Sequence, residues 1–262
     1  MSINPQRYRL PITLILLLSS LIIFCACSQS TPKPDDHKLS DKFYQNLLIA
    51  FNGRDYRLVR SGLDKINEAG IADKRTIYLG ALLALIESQP DTAVARLQDA
   101  LALDPEFGDA HNTLGTVYMR QKKYAEAKSE FLLACNSPTY QTPEKAYHNM
   151  GNLYVILGEN RQAQSCYLKA IKINPGYFPS HYELSRLYLQ MHQLDQAANE
   201  SEKARQINPD HPGVWLQIGK IELAKGDHER ANKAFAKVIK LQPGGDFANL
   251  ANQEIKKFNN TN

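Results

Sequence analysis

The chain has little with which to do chemistry. Its 262 residues include one tryptophan, four cysteines and four methionines. No glycine-rich phosphate loop, nucleophile elbow, HxxxH or CxxC pair occurs, which removes the usual signs of nucleotide hydrolysis, acyl-transfer chemistry and a zinc site. Charge of one sign is also scarce. The formal net charge is +4 with 22% charged residues, and it falls to about +2 without Arg7 and Arg9 near the N-terminus. That excludes the concentrated basic face that nucleic acid requires. Beyond the N-terminus no apolar run is long enough to cross a bilayer. The chain is nonetheless 43% hydrophobic, enough for a real core in one large domain or two small ones.

What is present is a period. In residues 144–177, Tyr147, Met150, Gly151 and Tyr154 share one face of a first helix, and Ala163, Tyr167 and Ala170 share the facing side of a second. Pro175 closes the unit. The small residues allow close helix approach and the rings fill the remaining space. This pattern resembles the tetratricopeptide (TPR) repeat. One such unit cannot bury its own apolar faces, so it predicts neighbours.

Six units follow from that register: a degenerate 40–73, then 74–107, 108–141, 144–177, 178–211 and 212–245. In the first, Gly53 breaks the opening helix and Val59 and Ile66 replace small residues. Thr142-Pro143 is an insertion between the third and fourth. Ser201 stands where the fifth unit should carry an aromatic ring, and Glu222 where the sixth should carry a tyrosine. A last helix over 246–258, with Asp246 as its cap and Phe247, Leu250, Ala251 and Ile255 on its apolar face, closes the stack. The expected fold is all-α: a right-handed superhelix of antiparallel helix pairs with a concave inner face and a C-terminal capping helix.

Residues 1–26 have the layout of an export signal, with Arg7 and Arg9 ahead of a short apolar core from Ile12 to Phe24. Ala26-Cys27-Ser28 then resembles the lipobox of bacterial lipoproteins, in which the cysteine receives a lipid. The alternative is an uncleaved membrane helix. Ser28 after the lipidated Cys27 resembles an outer-membrane sorting signal, which implies a domain facing the periplasm. Residues 28–39 are polar with two prolines, and are expected to form a tether.

The third and fourth units carry Asn112-x-x-Gly115, Tyr124-x-x-Ala127 and Phe131-x-x-Ala134, then Pro138-x-Tyr140-x-x-Pro143, then Asn149-x-Gly151. Together these resemble the type IV pilus biogenesis and stability lipoproteins, the PilF/PilW pilotin-like group. The resemblance implies an outer-membrane lipoprotein that helps a pilus secretin reach the membrane and oligomerise. Two other readings stand beside it: an adaptor that scaffolds peptidoglycan hydrolases or another envelope complex, and a subunit whose catalytic partner is a separate chain.

Such a protein is expected to bind a polypeptide, with no catalytic residues, cofactor, nucleic acid or small-molecule substrate. The inward positions of the first helices are Arg75, Tyr78, Leu82, Asn112, Thr116, His148, Asn152, Tyr182, Arg186, Leu216 and Lys220. That mix of tyrosine, asparagine, arginine and aliphatic groups suits a bound peptide. Thr116, Pro179 and Glu183 occupy positions at which carboxylate-gripping TPR cochaperones carry Lys, Asn and Arg, so that clamp is not expected. His111 and His181 recur two units apart, too far to share an ion. Cys135 and Cys166 lie on second helices of adjacent units, either as a disulfide or as two buried thiols.

Overall fold

The computed structural model describes residues 34–259, so the expected signal segment and Cys27, the expected lipidation site, lie outside the described residues. Those described form helices joined by short turns. They pair as α1 (Pro34–Asn52) with α2 (Tyr56–Glu68), α3 (Lys74–Ile86) with α4 (Pro90–Leu103), and α5 (Gly108–Arg120) with α6 (Tyr124–Asn136). Next come α7 (Pro143–Ile156) with α8 (Asn160–Ile173), α9 (Phe178–Gln190) with α10 (Leu194–Ile207), and α11 (Pro212–Lys225) with α12 (His228–Leu241). Helix α13 (Asp246–Asn259) packs on the last pair. The fold is the expected TPR superhelix. No described helix is long and apolar enough to cross a membrane.

The turns explain the period. Each turn inside a pair passes through one left-handed residue: Arg54, Ser88, Lys122, Gly158, His192 and Gly226. The next amide then bonds five residues back, as in Asp55 N–H to Ala50 O, Gln89 to Ala84 and Glu159 to Tyr154, the hydrogen bond that satisfies a helix's last carbonyls. Starts are fixed by side chains and prolines. Asp73 and Thr76 form a reciprocal capping box on α3, and prolines open α4, α7 and α11 without losing a helical hydrogen bond.

The third, fourth and sixth pairs are each locked by a ring over a glycine. A Cβ on Gly115 would lie 2.7 Å from the Phe131 ring, one on Gly151 2.5 Å from Tyr167, and one on Gly219 2.4 Å from Phe235. All three rings are fully buried. The glycine therefore makes room for the ring rather than for the opposing helix itself. Residues 137–142, the connection that leads into the Thr142-Pro143 insertion, fold back onto the turn before α5. There Tyr140 is buried, its ring covers Gly108, and Ser137 Oγ donates to Glu106 O at 2.6 Å.

Two expectations need correction. The stretch read as tether through residue 39 is helical from Pro34 onward, because α1 extends backward beyond the apolar residues that defined it. In α13, Leu250 is exposed while Ala248 and Ala251 are buried. Small residues, not leucine, set that contact with the preceding pair.

Candidate functional site

The inner wall is made from the first helix of each pair, and it is a wall of side chains already bonded to one another. Arg75 pairs with Asp41 at 2.6 Å and with Asp73, and lies over the Tyr44 ring. Tyr78 spans to the next repeat through Thr113 Oγ1 at 3.0 Å, and burial pushes its phenol up to about 12. Asn112 accepts from Asn149 Nδ2 at 2.9 Å, and Thr116 donates to the Asn112 carbonyl. Leu82 is half-buried.

His148 and Leu216 are not free groove residues. Leu216 is buried in the core beside Phe235 and Val238. His148 is buried between the Tyr167 and Tyr177 rings. Its hydrogen bonds define its state. Tyr167 O–H donates to Asn152 Oδ1 at 2.7 Å, so the Asn152 amide nitrogen faces His148 Nε2 at 3.1 Å and donates to it. Nδ1–H then donates to Ser180 Oγ at 3.1 Å. The ring is neutral, and burial pushes it down to about 4. His148 thus faces the next repeat, through Ser180, and Leu216 packs against its own repeat's second helix and Ala251 of α13.

Toward the C-terminal end the wall opens. A depression of about 280 Å³ runs across the fourth to sixth repeats, lined by Val155, Glu183, Arg186, Leu189, Gln217 and Lys220 among others. Arg186 lies over the Tyr182 ring and chelates Glu183, with both bonds at 2.9 Å. Lys220 is 3.8 Å from Glu254. A second depression of about 380 Å³ between the second and third repeats includes Leu85, Val117 and Arg120. Val155, Ile156 and Ile86 remain exposed along this edge. Leu85, Val155 and Leu189 sit three residues beyond Leu82, Asn152 and Arg186. The same helical spacing that picked out those three would have found them. The surface thus offers apolar contacts flanked by arginine, lysine and glutamate, which suits a bound polypeptide.

Other sequence candidates resolve differently. His111 and His181 each bond a glutamate of their own repeat, and among the described residues no group of three His, Cys, Asp or Glu is placed to hold a metal. Cys135 and Cys166 are free thiols. Burial pushes them up to about 12 and about 11, so neither is a ready nucleophile.

Family models for the tetratricopeptide repeat match residues 84–134, 144–177, 166–199 and 192–253, together more than half of the chain. The chain is a tetratricopeptide-repeat protein. In fold this TPR protein is PilF/PilW-like. PilW, described as a widely conserved type IV pilus biogenesis factor, superposes with a TM-score of 0.73 at 21% identity, over 81% of this chain and 97% of PilW. Pseudomonas aeruginosa PilF gives 0.75 at 19% identity, over 84% and 99%. YrrB, a TPR protein with an unusual peptide-binding site, gives 0.55 at 22% identity, over 73% and 97%. By sequence the chain is similar to a Haemophilus influenzae protein of no assigned role, 28% identical over 132 residues, which are 49% of this chain and 72% of that one. It is also 23% identical to Caenorhabditis elegans trd-1 over 142 residues, 54% of this chain but only 18% of trd-1. A TPR stack is a scaffold for protein–protein interaction.

Proposed function

We propose that this protein is a pilotin-like assembly factor of a type IV pilus. Lipidated at Cys27 and facing the periplasm from the outer membrane, it holds a secretin protomer or another pilus-assembly component on its inner wall. The observation that carries this reading is the agreement in fold with PilW and PilF along nearly their whole length. The open wall between Val155 and Lys220 supports it as a contact surface. The mechanism is physical: the lipid confines the complex to one membrane, and the groove shields an exposed client segment until the client assembles.

Deleting the gene tests it. Loss of surface pili and of secretin multimers is expected, and unchanged pili and multimers overturn the proposal. A Cys27→Ser chain should leave the outer-membrane fraction. The double variant Arg186→Glu/Lys220→Glu should fold but lose capture of the client from detergent extracts.

A further inference from the structure

At three successive seams a tyrosine of the incoming first helix lies across the second helix of the repeat before it. Tyr118 reaches Gln98, Tyr154 sits beneath Lys128 with the ammonium 5.3 Å from the ring centre, and Tyr188 accepts from Gln164 Nε2 at 3.2 Å. The seam between α10 and α11 has the same register and lacks this lid, because Glu222 takes the tyrosine's place. Ser201 likewise stands where Phe131, Tyr167 and Phe235 are fully buried rings. The fifth repeat has adjusted to that second change internally. Ser185 replaces the glycine a ring would need, and its Oγ–H donates to Ala197 O at 2.8 Å. Nothing compensates for the missing lid.

A cavity of about 190 Å³ remains, lined by Ala198, Ser201, Glu202, Ile218, Ile221 and Glu222. Ser201 is only 1% exposed, and its Oγ has no hydrogen-bond partner among the described residues. A buried hydroxyl left without a partner is costly, so the site favours an occupant that answers it. Glu202 is held by Arg205 at 2.6 Å, whereas Glu222 has no ion pair among the described residues.

The geometry points to this cavity as a docking pocket for one phenol ring of a partner polypeptide, carried beside a lysine or arginine. An apolar cavity of about 150 Å³ is enough to take a benzene ring. Ile218 and Ile221 supply the walls, Ser201 hydrogen-bonds the ring's polar atom or its water, and Glu222 meets the neighbouring cation. The three sister seams are the template, since each already accepts a tyrosine beside a polar or cationic side chain. The assignment rests on the protein-binding reading but uses none of the residues that line the groove.

The test uses the full chain in detergent micelles, isotopically labelled for NMR, titrated with capped Lys-Tyr-Lys and Lys-Ala-Lys peptides. The tyrosine peptide should shift the signals of Ser201, Ile218 and Ile221 and bind about tenfold or more tighter than the alanine peptide, as burial of one ring implies. Glu222→Tyr rebuilds the lid and should abolish these shifts with an unchanged or higher melting temperature. Should that variant fail to fold, Glu222→Gln keeps the pocket open and should weaken the tyrosine peptide while retaining its preference over alanine. Equal affinity of the two peptides, shifts confined to the groove around Arg186 and Lys220, or an undiminished response in Glu222→Tyr would each overturn the assignment. The pilus phenotype and the groove double variant report on the proposed function separately, so either idea can fail alone.

Discussion

The third and fourth repeats each bury a histidine in the first helix, and they give it different charge states. In the third, His111 Nε2 faces the Pro105 carbonyl at 2.9 Å and Nδ1 faces Glu130 Oε2 at 2.7 Å. A carbonyl only accepts, so Nε2 carries a proton, and the carboxylate draws one onto Nδ1. Burial disfavours the charged ring, but the bonds to Glu130 and Pro105 outweigh it, and the His111 pKa is raised. In the fourth, His148 has an amide donor on one side and a hydroxyl on the other, with no carboxylate, and stays neutral. A buried histidine's charge is therefore set by whether both its neighbours accept. The fifth repeat has the same bonding geometry as the third, with His181 between Glu200 at 2.6 Å and Pro175 O at 2.9 Å, and there Glu200 is held below the usual carboxylate value against the effect of burial. The sixth keeps the proline tie without the charge. Trp215 N–H donates to Pro209 O at 2.7 Å, and Ala234 stands where the glutamate would be.

The largest effect that would break this contrast is at Gly151. Leucine there collides with Tyr167, whose hydroxyl fixes Asn152 and through it the neutral His148. Overpacking of this kind is expected to cost about 3 kcal/mol or more, read as a shift of the denaturation midpoint. An unshifted midpoint would mean that the repeat register is wrong.

Acid comes next. The folded His148 pKa, about 4, lies below its ordinary 6.5, so the unfolded chain takes the proton first. Its contribution is complete above pH 6.5 and drains away as pH falls toward 4, by about 3 kcal/mol in total. His111 has the opposite sign: its contribution is complete below 6.5 and is lost as pH rises through its raised folded value. Denaturant melts across this range should show His148→Gln flattening the acid limb and His111→Gln the alkaline limb. Identical pH profiles for the two variants would refute the contrast. Smaller again, Glu130→Gln should lower the His111 pKa in an NMR titration and cost about 2 kcal/mol at pH 6, the scale of a charged hydrogen bond, with a lesser cost at pH 8.

Much of this stack was legible in residue order alone, since the unit boundaries follow from Gly115, Gly151 and Gly219 recurring ahead of Phe131, Tyr167 and Phe235. The groove was less legible. Periodicity names the face on which a residue lies, but not how far the next repeat overlaps it. That is why His148 and Leu216, which belong to the interior, were grouped with Arg186 and Lys220, and why Val155 and Leu189 at the open edge were passed over. Polar composition hid the start of α1 at Pro34, because a helix end held by its own backbone bonds needs no apolar stripe. The roles of His111 and His181 were equally hidden. Their glutamates lie nineteen residues away on another helix, and nothing local links them.

The turn inside each pair extends the comparison to the backbone and carries the smallest effect. The fourth repeat turns through Gly158 at φ 75°, the third through Lys122 at φ 61°. Lysine meets its own carbonyl there, at a cost of roughly 1 kcal/mol that glycine avoids. Glycine also loses more freedom on folding, which returns part of that gain. Lys122→Gly should therefore stabilise the chain by a few tenths up to about 1 kcal/mol, with the slope of the denaturation curve unchanged. Gly158→Lys should destabilise it by a similar amount, because a Cβ at Gly158 meets nothing within 4 Å and only the backbone angle is at issue. Equal and opposite shifts would isolate the dihedral cost. A loss of stability from Lys122→Gly would instead assign the Lys122 side chain a stabilising role that outweighs its strained backbone.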